Sequence, residues 1–418
     1  MHRVSCAGLV GVIVLVSSGA EAQSASGQGV PPRAVTRAQA VATALEQSVR
    51  HTVARIDVSA ASAQLSTAKQ FENPTVSTMY SVSAPRAHLT LDVPMDWPGV
   101  RDARISAARA QLGAATVRLQ LADVLLAFDT DTAYTRAQTL DAQARLLAVT
   151  SRDADSLLAL VRIRRDAGDA SDLDVEVAAV AAGQFANTAV AASASATAAI
   201  LRLQRLMSVS PDSVQLVLAD TVAFTGPTAR EVPSTSADSS TGTALPVAAA
   251  TLDLRAAEAL LQLEHRRRVG APSLALGVEA INPGGPGGLL PLIGVSVPLP
   301  LFNRNRAAIT RAELERQRGR ALVVQAGLDQ HADLQLAQSD ARAARVRADN
   351  SLRLFASAER IGALSLLAYR EGATTLVSVL EAQRTARDAR VQLLDDLAAA
   401  QIAERLTQLL QLRIPPLS

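Results

Sequence analysis

A chain of 418 residues leaves room for two or three globular domains. Its charge is nearly balanced, 41 basic against 39 acidic residues, which argues against a protein held to nucleic acid by phosphate contacts. Aromatic residues make up 2% of it. Globular cores lean on Phe, Tyr and Trp, so the interior is expected to be thin and packed from Ala and Leu, as where helices lie side by side.

In chain order, the first element is an export signal. Arg3 is a short basic start, an apolar run extends from Ala7 to Val16, and Ala20-Glu21-Ala22 fits a cleavage site. That run is shorter than the roughly 20 residues of a membrane-spanning helix, so residues 1–22 are expected to be removed. Cys6, the only cysteine, would go with them and leave no thiol, disulfide or lipidated cysteine. Residues 23–35 read as a flexible segment. A helical entry over 36–71 opens a first structural repeat spanning 36–225. Two short alternating runs follow, at about 74–82 and 87–94, with Val76, Thr78, Tyr80 and Val82 on one side of the first. Strands of eight to ten residues, apolar on one face and polar on the other, suit a wall between lipid and water. Tyr80, Trp97 and Phe302, with Phe71, stand at strand ends, where an aromatic girdle would sit. A helical hairpin is expected over about 102–208. Residues 226–246 are a Pro/Ser/Thr/Gly linker.

The second repeat, 247–412, restates this plan with strands at about 272–280 and 290–298 and a hairpin over about 306–411, before a short tail at 413–418. Val93-Pro94 recurs 204 residues on as Val297-Pro298, and Ala103, Ile105 and Ala108 recur as Ala307, Ile309 and Ala312. The same offset carries Gly168, Val175 and Ala178 onto Gly372, Val379 and Ala382. The chain is a tandem duplication. Four strands cannot close a barrel, and open edges are not tolerated in lipid, so transmembrane strands would have to be pooled from several chains. Each ascending helix would span roughly 95 Å, too long for a globular core and suited to side-by-side packing. Pro94, Pro298 and Pro300 stand at the hinge where strand gives way to helix.

The pieces "NPTVS" (73–77), "VPLPLFNRNRAAI" (297–309) and "AYREGATTLVSVLEAQR" (368–384), in this order and duplicated spacing, resemble the TolC-like outer membrane efflux protein family. The resemblance implies a homotrimer with a 12-stranded membrane β-barrel continued by an α-helical coiled-coil barrel through the periplasm. It implies a channel-tunnel in the outer membrane lipid, working with a periplasmic adaptor and an inner-membrane transporter. Gly168 and Gly372 would be the hairpin tips that meet the adaptor. Asp174 and Glu381 would belong to an acidic ring at a periplasmic gate, and Tyr369 to the tie that holds the hairpins, with its hydroxyl as the holding group. Ser378 stands where the family often has Asp, and Thr374 where some members have Arg. "VPLPLFNRNR" is similar to the heavy-metal-cation branch, yet His51, His88, His265 and His331 are isolated and no ligand pair has metal-site spacing. No catalytic motif, cofactor or metal site is legible, so an enzyme is not expected. Two alternatives remain at this point: the outer membrane channel of a type I protein secretion system, and a periplasmic coiled-coil adaptor or interaction protein.

Overall fold

The computed structural model describes residues 32–83, 85–212, 215–220, 242–280 and 288–414. The expected signal peptide, residues 23–31, most of the linker and the last four residues of the tail lie outside these. In the first repeat, strand β1 (Pro32–Val35) leads into helices α1 (Arg37–Gln47) and α2 (Val49–Lys69), strands β2 (Thr75–Tyr80) and β3 (Ala87–Pro94), then α3 (Val100–Asp166), α4 (Asp172–Leu206) and β4 (Gln215–Leu218). The second has β5 (Thr243–Ala244), α5 (Leu245–Arg266), β6 (Ser273–Ala280), β7 (Leu289–Ser296), α6 (Arg306–Arg370), α7 (Leu376–Leu410) and β8 (Arg413–Ile414).

The entry helix is broken once. Ser48 closes α1 by donating its amide to Ala44, and its hydroxyl accepts from the Arg50 amide to start α2. Helices α3 and α6, of 67 and 65 residues, run for about 100 Å at 1.5 Å per residue. The returning α4 and α7 have 35 residues each, so they cover about half of that length. The upper half of α3 lies against α2 and α5, and the lower half against α4. Contacts are Ala-rich: Ala107, Ala108, Ala114, Ala115, Ala178, Ala181, Ala337 and Ala344 are all buried, which lets helix axes approach closely. Polar ties add register. Asp396, buried between α6 and α7, accepts from Ser351 at 2.5 Å and Gln392 at 3.1 Å, and the neighbouring Asp395 accepts from Gln143 of α3 at 2.7 Å. Helix α4 is apolar enough and long enough to cross a membrane. It instead lays Ala178, Ala181, Phe185, Ala199 and Leu203 against its neighbours and leaves Gln184, Asn187, Thr188, Ser193, Ser195 and Thr197 exposed.

Three of the sequence boundaries need correction. The segment expected to be flexible up to residue 35 ends in β1, which pairs in parallel with β4. The linker ends early, because β5 and the first turn of α5 occupy 243–246, and the tail begins with β8, antiparallel to β5. A buried tyrosine explains the first. The single hydroxyl proton of Tyr134 of α3 is shared between the Val35 carbonyl at 3.1 Å and the Asp220 carboxylate at 3.0 Å, while Asp220 also accepts from the Arg37 amide at 2.8 Å. Burial, with the adjoining carboxylate, pushes the Tyr134 phenol up to about 12, so it stays a proton donor at any ordinary pH. Val35, Leu126, Leu203, Met207 and Leu216 close over it. Replacing Tyr134 by Phe is expected to destabilise the protein by about 0.5–1.5 kcal/mol, because a buried hydrogen bond is lost while the Val35 carbonyl keeps the Ala219 amide and Asp220 keeps the Arg37 amide as donors. Thermal unfolding in detergent reads this directly; an unchanged midpoint would show that the staple carries no stability.

Candidate functional site

The four-stranded sheet has the order β2-β3-β6-β7, antiparallel throughout. Its register puts like with like. Val76, Leu91, Leu276 and Ile293 form one row across it, and Val93, Leu274 and Val295 form another. Side chains alternate sides along a strand, so these rows share one face with Thr78, Leu89, Val278 and Pro291. The opposite face carries Ser77 and Thr90, whose hydroxyls lie 2.6 Å apart, Asp92, Ser273 and Ser296, and His88 set 3.3 Å from Glu279. Met79 of β2, Ala275 of β6 and Leu290 and Leu292 of β7 are apolar residues on this otherwise polar side. Exposure of Val76 at 69%, Ile293 at 77% and Val295 at 66% leaves the apolar face bare in the single chain.

Below the sheet, the hinge is packed rather than open. Gly270, ahead of β6, lies so close to the Pro298 ring that a Cβ there would come within 2.7 Å of it. Pro94 ends β3, and Pro298 and Pro300 fall in the connection from β7 to α6. Trp97 turns inward: its indole N–H donates to the Gly270 carbonyl at 2.8 Å and its ring packs with Val100, Ala107 and Leu263. Tyr80 and Phe302 are fully open to the surroundings, and Phe71 carries Arg101 over its ring.

At the far end, both hairpins turn in the same way. Gly168 and Gly372 have φ of +86° and +75°, the left-handed region that favours glycine. Each donates its amide three residues back while the next residue donates five back, Asp169 to Arg164 and Ala373 to Ala368, and so closes the helix end. The next helix begins with a hydroxyl cap, Ser171 on Asp174 and Thr375 on Ser378. Asp174 returns the bond, accepting from the Ser171 amide at 3.0 Å and hydroxyl at 2.8 Å. Ser378 is its counterpart in the second repeat. Glu381 pairs with Arg384, which reaches across to Gln184 of α4 at 2.8 Å. Asp174 and Glu381 therefore each have a partner of their own at the tip.

The two hairpins meet through an apolar cluster: Val161, Val175, Ala178, Ala181 and Phe185 from the first, Tyr369, Leu376, Val379 and Leu380 from the second. Arg164, which the sequence reading passed over, crosses between them. Its guanidinium lies 4.8 Å from the centre of the Tyr369 ring and donates to the Tyr369 carbonyl at 3.0 Å. In the described contacts Arg164 engages the ring face and the main chain of Tyr369, and the ring itself is buried. Thr374 is half-buried in the turn. The histidines lie apart, His51 against Asp123, His88 against Glu279, His265 against Arg268 and His331 against Gln335, and among the described residues no cluster has metal-binding form.

Two outcomes follow for the tip. Arg164→Ala removes a cation–π contact and a bond to a carbonyl, together about 1–2 kcal/mol, so separation of the hairpins becomes about 5–30 times more frequent, whereas Tyr369→Phe leaves it unchanged. Hydrogen exchange of the tip amides measures both; equal exchange in the two variants would remove Arg164 from the tie. The capping bonds from the Ser171 amide and then its hydroxyl hold the Asp174 carboxyl below the usual range. A depressed folded value means the cap contributes fully above the ordinary carboxylate range near pH 4 and is lost as pH falls through the folded value. NMR titration should place the Asp174 midpoint below that of a free Asp, and Ser171→Ala, which removes the hydroxyl but keeps the amide, should raise it part of the way.

Comparisons with known proteins agree with this geometry. Residues 40–209 match the outer membrane efflux protein family. A search of curated proteins gives no sequence match. Among solved structures, the chain is similar to the CmeC outer membrane channel of Campylobacter jejuni at 14% identity and a TM-score of 0.74, over 97% of this chain and 94% of that one. It is also similar to the outer membrane protein VceC of Vibrio cholerae at 16% identity and 0.70, over 90% and 96%. The MtrE outer membrane channel of Neisseria gonorrhoeae, in its open state, matches at 17% and 0.68, over 90% and 88%.

Proposed function

We propose that this chain is a member of the outer membrane efflux protein family, whose model matches residues 40–209, and that three copies close a 12-stranded barrel in the outer membrane. The six long helices α3 and α6 then continue it as a periplasmic tunnel. In this reading the tunnel receives its cargo from an inner-membrane transporter through a periplasmic adaptor that seats on the turns at Gly168 and Gly372. Asp174 and Glu381, three of each, ring the narrow end, and the contact of Arg164 with Tyr369 latches it. Tyr80 and Phe302 stand at the two borders of the lipid-facing band.

One observation carries this reading. A sheet with a continuous apolar face and two open edge strands, β2 and β7, is not a finished structure. Unpaired N–H and C=O groups in hydrocarbon cost several kcal/mol each, so edges in lipid must find partners. Joining copies edge to edge satisfies every strand, and the apolar rows then turn to lipid while Ser296, Asp92 and Glu279 line the lumen.

Native mass measurement of the detergent-purified protein should give three chains; a stable single chain would overturn the barrel. In the trimer, Val295→Arg should cost ~2–4 kcal/mol if it lies near the bilayer midplane, while Ser296→Arg on the lumenal side is tolerated. Equal tolerance of the two would take this sheet out of the membrane.

A further inference from the structure

Near the end of the sheet farthest from the helices, one row sets three different donors side by side. Met79 of β2 lies directly opposite His88 of β3, and His88 opposite Glu279 of β6, all on the polar face. Directly opposed residues on one face have Cβ atoms about 4.5–5.5 Å apart, within reach of a long, flexible thioether. The imidazole and the carboxylate are sheltered, their side chains 24% and 22% exposed, whereas Met79 stands open at 69%.

The contacts of His88 fix what its ring can do. Nε2 lies 3.0 Å from the Pro85 carbonyl oxygen, and a carbonyl only accepts, so this nitrogen carries a proton. In the neutral ring Nδ1 then offers a lone pair, and it stands 3.3 Å from Oε1 of Glu279. Two electron pairs that face each other need a positive charge between them. A proton shared in a charge-assisted hydrogen bond would draw the atoms to about 2.7–2.9 Å. A tetrahedral metal ion bound to both, at about 2.0–2.2 Å from each, holds them about 3.3–3.5 Å apart. The observed spacing is that of the second case. A ring N–H anchored on a main-chain carbonyl is also the usual outer support of a metal-bound histidine. No third His, Cys, Asp or Glu completes a cluster with this pair among the described residues. The third donor is the Met79 thioether, and water can fill the remaining position.

We infer that Met79, His88 and Glu279 form a binding site for a transition-metal cation of the zinc or copper class. Imidazole with a carboxylate suits Zn²⁺ and Cu²⁺, and a thioether adds affinity for softer monovalent cations such as Cu⁺. Mg²⁺ and Ca²⁺ take shells of oxygen, which this row does not supply. One chain provides all three donors, so the site does not depend on the number of copies. Its position at the outer end of a lumen does rest on the barrel proposed above, in which three such sites would ring that end.

Calorimetric titration of the full-length protein in detergent tests the site, with Zn²⁺ in one series and Ag⁺, a redox-stable soft cation, in another under chloride-free conditions. Zn²⁺ should bind at one per chain. His88→Ala and Glu279→Gln should each weaken it by about tenfold or more, while His331→Ala, at an exposed histidine of α6, leaves it unchanged. Met79→Leu should change Zn²⁺ affinity by less than about threefold and weaken Ag⁺ by about tenfold, because the thioether is the soft donor. Each variant is compared at an unchanged metal-free unfolding midpoint. Cu²⁺ bound to the wild-type protein should also give an electron paramagnetic resonance spectrum with the splitting of a single imidazole nitrogen, a readout that needs no substitution. A wild-type protein that binds neither Zn²⁺ nor Ag⁺ overturns the site. So does binding that survives both His88→Ala and Glu279→Gln, or a Cu²⁺ spectrum without nitrogen splitting. Native mass of the same samples counts the chains, so a failed trimer and a failed metal site are told apart.

Discussion

The constraint on which the rest depends is that main-chain N–H and C=O groups cannot stand unpaired in hydrocarbon. An α-helix meets it alone; a β-sheet meets it only by closing. Four strands of six to eight residues cannot close, because strand tilt and interior packing set a minimum number near eight. In lipid, four such strands would commit the chain to assembly at the level of its backbone. The apolar rows of Val76, Leu91, Leu276 and Ile293 would be an aggregation hazard on a soluble protein. In a closed barrel they become the surface that lipid requires.

Duplication makes that commitment economical in sequence. A contact evolved once between neighbouring repeats can serve again between neighbouring copies, provided both flanks keep the matching shape.

The elements most legible in the sequence are those with a long period or an in-register echo. Period-2 alternation marked the four strands within two residues at each end, and the constant offset from Gly168 to Gly372 marked both tips. What stayed hidden had no local pattern. Strands β1 and β4 are four residues each and pair in parallel across more than half of the first repeat's length, held by a tyrosine hydroxyl that no spacing rule announces. Arg164 was missed for a related reason: its partner is Tyr369, whereas duplication would match it to Ala368, so the tie is a point where the repeats have diverged. Asp174 was visible as a charge, but Ser171 three residues before it is a capping-box signature, and the carboxylate is already engaged in closing the helix end.

The scarcity of aromatic residues and the near-exclusive use of Arg as the cation have one physical reading. Lys69 is the only lysine, and there are six Phe, three Tyr and one Trp. Five of these rings carry a guanidinium over their face: Tyr134, Phe71, Tyr369, Phe185 and Phe355. A wall one helix thick has no deep core in which a ring can be enclosed by apolar neighbours alone, and Tyr134, Phe185 and Tyr369 are buried with a guanidinium closing one side. A planar guanidinium can cover that side, stack on the ring and still hydrogen-bond at its rim, which an ammonium does less well. Arg387 over Phe185 and Arg164 over Tyr369 place this solution at the junction of the two hairpins. Contacts of that kind are worth about a kcal/mol each, enough to hold the hairpins together on average and too little to prevent their separation. Ala-rich helices with Arg on aromatic faces thus join the two hairpin ends by contacts of modest strength.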